Sequence, residues 1–137
     1  VVAIGDIFTQ SLLKPVHSHI FSILKRVPED GTFDQDTQRR RVCEATLLHQ
    51  EIHSVDMSAC TDRLPALYQA LSLYLCGAMT LGQAISWLLV CTKRDFLVKQ
   101  HKGRPFKVRY AVGQPMGFLS SWAVMALSHH LLVAWAS

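Results

Sequence analysis

The sequence predicts an α+β fold, rich in helix, with a small antiparallel sheet. Three observations carry that expectation. Apolar residues recur at helical spacing over residues 7–27, 66–92 and 118–136. Residues 106–112, Phe-Lys-Val-Arg-Tyr-Ala-Val, alternate bulky apolar residues with basic or small ones, the period of a half-buried strand. Residues 51–56 have the length of a short strand that delivers Asp56 at its end. Half of the 137 residues are apolar and 18% are charged, which suits one packed core and excludes a disordered chain.

The elements follow in order. The first helix carries Ile7, Leu12, Leu13, Val16, Ile20, Ile23, Leu24 and Val27. Pro15 removes a backbone donor in its middle, so a kink or two short helices is expected. Pro28-Glu29-Asp30-Gly31 is a turn signal. Arg39, Arg40 and Arg41 lie in a polar stretch that reads as a solvated face, with phosphate contact as the sharper reading. Pro65 suits the first turn of a helix running to Cys76. Thr80-Leu81-Gly82-Gln83 has capping-box spacing and opens a second apolar helix ending near Thr92. Gly113-Gln114-Pro115-Met116-Gly117 is a turn into a final helix, on which Trp122, Met125, Leu132 and Trp135 read as core.

The formal charge is +4 and the pI about 9.0, a mild bias toward anionic partners. Between Lys93 and Arg109 stand seven basic residues against the single acid Asp95. Within that segment Lys99, Lys102, Arg104, Lys107 and Arg109 are candidates for RNA phosphate, and a retained RNA-binding module is one alternative function. Another is a two-span membrane hairpin with a basic loop. Residues 64–92 and 110–137 lack formal charge, and each exceeds the roughly 20 residues a spanning helix needs. Pro65, Gln69, Ser72, Gly77, Thr80, Gly82 and Gln83 with their capping box, and the Gly-Gln-Pro turn with Ser120, Ser121, Ser128, His129 and His130, weigh against that reading, because polar groups are costly in lipid. Cysteines 43, 60, 76 and 91 form no C-x-x-C pair and read as reduced thiols. The chain starts without Met and both ends read as cut; no signal-peptide pattern opens it.

The segment with chemical content is His53 to Pro65, where Asp56 stands at the expected strand end and Asp62 six positions later at a helix start. A carboxylate on a rigid strand end can hold divalent cations against triphosphate oxygens. As bare spacing the pair reads more simply, with Asp62 as a helix cap.

The full string Asp56-Met57-Ser58-Ala59-Cys60-Thr61-Asp62-Arg63-Leu64-Pro65 resembles motif A of mitovirus RNA-dependent RNA polymerases, which reads close to Asp-Leu-Ser-Ala-Ala-Thr-Asp-Arg-Leu-Pro. Residues 108–117, then Ser120-Ser121-Trp122-Ala123 and Ala126-Leu127-Ser128-His129-His130, resemble their motif B. Weaker echoes stand at 1–6, 9–10, 30–35, 87–90 and 94–96, while Cys91-Thr92-Lys93 departs from the usual residues. The resemblance implies a fingers–palm fragment of a right-hand polymerase. Residues 1–50 would be a fingers-like helical segment, and 51–137 a partial palm with motif A at 53–65 and motif B at 108–130. It implies Mg²⁺ or Mn²⁺ as cofactor, template RNA, nascent strand and nucleoside triphosphates as partners, no stable protein partner, and a mitochondrial location. Carried over by position, Asp56 is the metal ligand and catalytic carboxylate, and Asp62 senses the ribose. Ser120 or Ser121 assists in 2′-hydroxyl selection, and Gly113 to Gly117 form the motif B loop. The Gly-Asp-Asp of the family's motif C does not occur in the sequence, so the fragment is expected to be inactive alone. Cys60 replaces a usual Ala.

Three histidine pairs are set aside, the first being His129 and His130, which are adjacent and so diverge on a helix. His49 and His53 flank Glu51 in an order that does not match the His-Glu-x-x-His zinc string. His17 and His19, two apart, point to different faces of a helix.

Overall fold

The computed structural model describes residues 3–99 and 103–136. Among these, six helices and one hairpin follow along the chain: α1 Ile7–Leu24, α2 Gln35–Leu47, α3 Cys60–Arg63, α4 Ala66–Leu75, α5 Leu81–Thr92, β1 Phe96–Val98, β2 Phe106–Val108 and α6 Ser121–Ala136. The helix-rich α+β expectation is met.

One core joins the two halves of the chain. Leu13, Ile20 and Leu24 of α1 meet Ala70 and Leu73 of α4, Trp87 and Cys91 of α5, and Val124 and Leu127 of α6 in a single buried cluster. Pro15 lies inside α1, which runs through it without dividing. Leu13 and Ile20, on either side of the proline, are both buried in that core, so both halves of the helix pack on it. Asp6 caps α1 by accepting from the Thr9 amide at 2.9 Å, and Thr80 with Gln83 closes the predicted capping box on α5. The turn between α4 and α5 contains Gly77 at φ 76°, a left-handed conformation that favours glycine.

Several expectations are corrected. Residues 51–56 form no strand: the chain from 51 to 59 is exposed, and no backbone hydrogen bond joins 51–58 to a described neighbour. A strand exists only through its ladder, and none of the described backbone supplies one here. The antiparallel sheet has two strands, pairing Phe96 with Val108 and Val98 with Phe106, so it does not contain the Asp56 segment. The strand predicted over 106–112 stops at Val108, which lies opposite Phe96, the first residue of β1. Beyond that point the Val112 carbonyl accepts from the Ala66 amide at 2.8 Å instead. The Trp122, Leu132 and Trp135 stripe is not core; Trp135 is 85% exposed, and α6 turns Ala123, Val124, Leu127 and Ser128 inward. That face packs on α1 and α4, which leaves the Trp122 and Trp135 side turned outward.

No described helix is long and apolar enough to cross a membrane. The uncharged stretch 64–92 is two helices with a turn between them, and most of 110–120 is turn. All four cysteines are free thiols. Burial pushes the Cys91 thiol up to about 12, so it is inert packing.

Candidate functional site

Two segments far apart in sequence meet backbone to backbone. The first is the turn after Asp56. Ala59 takes a left-handed conformation, φ 52° and ψ 44°, unusual for a residue with a Cβ, and starts the single turn α3. The Ala59 carbonyl accepts from the Asp62 amide at 3.0 Å, which orients the turn bearing the Asp62 carboxylate. The second segment is the loop 112–117 that feeds α6.

Their contact is tight enough to require glycine. A Cβ on Gly113 would overlap the Thr61 carbonyl oxygen and stand 2.5 Å from the carbonyl carbon of Asp62 and 2.6 Å from its oxygen. No side chain fits there, so Gly113 serves close approach rather than an unusual φ. Next to it the Gln114 amide donates to the Thr61 carbonyl at 2.8 Å.

The Gln114 side chain continues the connection inward. It is fully buried, and its Nε2 donates to Gln69 Oε1 at 2.7 Å and to the Ser121 carbonyl at 3.0 Å. Gln69 Nε2 in turn donates to the Leu64 carbonyl at 2.9 Å. The turn 61–64, the loop 112–115 and the start of α6 are therefore joined through two buried amides. The sequence does carry a signal for Gln69: it occupies a core position among Ala66, Ala70 and Leu73, where an amide must find partners.

The remaining predicted residues are placed as follows. Asp56 and Asp62 are both exposed. Burial pushes the Tyr110 phenol up; the Met116 backbone opposes this, and the charge of the Asp62 carboxylate adds to the rise. Ser120 is fully buried and its Oγ accepts from Trp87 Nε1 at 3.0 Å, so it anchors α5 to the start of α6. Ser121 is 6% exposed and its hydroxyl makes no hydrogen bond with a described residue. Gly113, Gln114 and Pro115 are buried, whereas Met116 and Gly117 are exposed.

Among the basic candidates, Lys99, Arg104 and Lys107 are exposed on and beside the β1–β2 hairpin and make no ion pair with a described residue. Arg109 is paired with Asp95 at 2.6 Å, and Lys102 lies outside the described residues. Arg41 donates to the Pro28 carbonyl at 2.5 Å and Arg40 to Thr37 Oγ1 at 2.9 Å, so both serve the structure around α2.

The described residues contain no group of three His, Cys, Asp or Glu side chains placed to share a metal ion. The described donors of this chain do not make a divalent-metal site by themselves.

The family model for mitovirus RNA-dependent RNA polymerase matches residues 1–137. The RNA-directed RNA polymerase of Cryphonectria parasitica mitovirus 1 is 36% identical over 137 aligned residues, covering 97% of this chain and 16% of that protein. An uncharacterized mitochondrial protein of Arabidopsis thaliana is 35% identical over 117 residues, covering 82% of this chain and 43% of the relative. A second such Arabidopsis protein is 30% identical over 115 residues, with 82% and 54% covered. The chain thus spans about half or less of the length of these relatives. No solved structure matches it.

Proposed function

We propose that this chain, which belongs to the mitovirus RNA-dependent RNA polymerase family, is a fingers–palm part of an RNA-directed RNA polymerase. In this reading residues 1–50 belong to the fingers and 51–137 to a partial palm bearing motifs A and B. The reaction is template-directed nucleotidyl transfer: a 3′-oxygen attacks the α-phosphorus of a nucleoside triphosphate and pyrophosphate leaves. Asp62 recognises the ribose, and Ser121, whose hydroxyl is bonded to no described residue, is the better placed of the two motif B serines to assist. A 2′-hydroxyl both donates and accepts, so a carboxylate with a hydroxyl suits it. Asp56 is the carboxylate assigned to Mg²⁺ or Mn²⁺, and its companion donors are not among the described residues. Lys99, Lys102, Arg104, Lys107 and Arg109 are assigned to RNA phosphate, Arg109 by exchanging its Asp95 partner. A mitochondrial site of action is supported by the relatives named as mitochondrial.

The observation that supports this reading most is the Gly113 contact. It brings the string around Asp62 and the loop before α6 into one surface, as a site reading a nucleotide from two motifs requires. The test is a chimera in which residues 1–137 replace the matching segment of the Cryphonectria mitovirus polymerase, assayed by primer extension. Asp56→Ala should abolish incorporation. Asp62→Ala should lower use of ribonucleotides about tenfold or more while sparing deoxyribonucleotides, the size of a lost hydrogen bond to a charged acceptor. Chain 1–137 alone should extend nothing. Near-normal incorporation by the Asp56→Ala chimera would refute the assignment.

A second reading has its own observation, the exposed Lys99, Arg104 and Lys107, which no described acid pairs. Under it the chain binds RNA alone, with affinity falling steeply as salt rises.

A further inference from the structure

The two buried glutamines form a relay whose direction is fixed by backbone. The Leu64 carbonyl can only accept, so Gln69 must turn its Nε2 toward it at 2.9 Å. That leaves Gln69 Oε1 facing Gln114, which must therefore present its own Nε2 at 2.7 Å. The second proton of that nitrogen then points at the Ser121 carbonyl, 3.0 Å away. Reversing either amide sets oxygen against oxygen. Both residues are 0% exposed, and Gln114 Oε1 has no described partner, so no other described group fixes the orientation of this side chain.

Each end of the relay lies beside a residue of the proposed nucleotide site. Leu64 ends the turn that bears Asp62, and Ser121 is the first residue of α6. We infer that Gln69 is a positioning residue: it sets the spacing between the Asp62 turn and the Ser121 end of α6 without touching the nucleotide. This rests on the polymerase reading for its consequence in activity, while the coupling itself rests on geometry alone. It singles out a residue on α4, outside both motifs.

Two measurements separate the coupling from the activity. Gln69→Met keeps the volume and removes both hydrogen bonds; Gln69→Leu is the second variant should the first not fold. Amide hydrogen exchange on chain 1–137 should show Gln114 and Ala66, whose N–H groups bridge turn and loop, exchanging about tenfold faster relative to the core amides of α1, the size of one lost hydrogen bond. Uniform acceleration across the molecule, or none, overturns the inference by marking Gln69 as ordinary core. In the chimeric polymerase, Gln69→Met should lower kcat/KM for ribonucleotides about tenfold and leave deoxyribonucleotides unchanged, a split that general loss of stability does not produce. An inactive parent chimera would count against the polymerase reading, and the exchange experiment would still decide the coupling. An active chimera that discriminates normally with Gln69→Met would remove the positioning role.

Discussion

Gly113→Ala is the sharpest perturbation available in this molecule. The added methyl overlaps the Thr61 carbonyl oxygen and stands 2.5–2.6 Å from the Asp62 carbonyl group, where ordinary contact begins near 3.4 Å. Nothing at that contact is a flexible side-chain end, so backbone must retreat by about 1 Å. Overpacking of this kind costs about 1–3 kcal/mol. The retreat also stretches the 2.8 Å bond from the Gln114 amide to the Thr61 carbonyl, which adds about 1 kcal/mol. The expected loss is about 2–4 kcal/mol. With a urea slope of about 2 kcal/mol per molar, the unfolding midpoint should fall by about 1–2 M. Urea titration followed by tryptophan fluorescence reads this directly, because Trp87 is buried next to the loop through Ser120. A midpoint unchanged within about 0.2 M would refute the contact and the reasoning about motif proximity with it.

Other glycines predict different signs. Gly82→Ala meets nothing within 4 Å, lies inside α5, and should stabilise by up to about 1 kcal/mol in the same titration. Gly77→Ala also meets nothing, yet φ 76° is disfavoured for alanine, so a loss of about 1 kcal/mol is expected. Trp87→Phe leaves the buried Ser120 hydroxyl without its donor and should cost about 1–2 kcal/mol by thermal or urea unfolding. For pH, burial raises the Asp30 carboxyl, but hydrogen bonds from Thr32 and His130 outweigh it and hold it below its ordinary 3.8. Thr37 holds Asp34, and Thr9 with Arg94 holds Asp6, below it too. A carboxylate depressed in the folded state stabilises above its unfolded value and loses that contribution as pH falls through the folded one. The urea midpoint should therefore be flat above about pH 5 and drop below about pH 4, and Asp30→Asn should flatten the drop.

What the sequence made legible is what is decided locally. The Thr80–Gln83 capping box is set by four residues, and α1, α4 and α5 by apolar spacing, so each could be read. Helix α2 buries nothing, and its order comes from Asp34 capping Thr37 and from Gln38 and Arg41 reaching back to the Pro28 carbonyl. Polar spacing alone carries no periodic sign of such a helix. The hairpin is too short to fix its register by alternation, and all of β2 is exposed. The stripe of Trp122, Leu132 and Trp135 misled because size was taken for burial, whereas α6 turns Ala123, Val124, Leu127 and Ser128 inward. For the candidate site, the residue roles come from family resemblance alone. The contact between Asp62 and Gly113 was not legible, because no spacing rule relates residues joined only by the tertiary fold.

The two aspartates of the motif A string stand on unequal footing, and that difference is testable without any enzyme assay. Asp62 belongs to a turn held by the Ala59 carbonyl, by Gly113 against its backbone and by Gln69 at Leu64. Asp56 belongs to a segment that is exposed from 51 to 59 and joined to no described strand. Its side chain makes no hydrogen bond or ion pair with a described residue. Asp56→Ala should accordingly leave the stability within about 0.5 kcal/mol of the parent in a urea titration, the usual range for an exposed site. Substitutions that open the Asp62 turn, such as Gly113→Ala, should destabilise clearly. If Asp56→Ala destabilised the chain by about 2 kcal/mol, the Asp56 segment would have to be ordered by contacts this structure does not contain. The separation between a supported Asp62 turn and an unsupported Asp56 carboxylate would then fail. If it is silent in stability yet abolishes incorporation in the chimera, Asp56 acts in the reaction and not in the fold, as its proposed metal role requires.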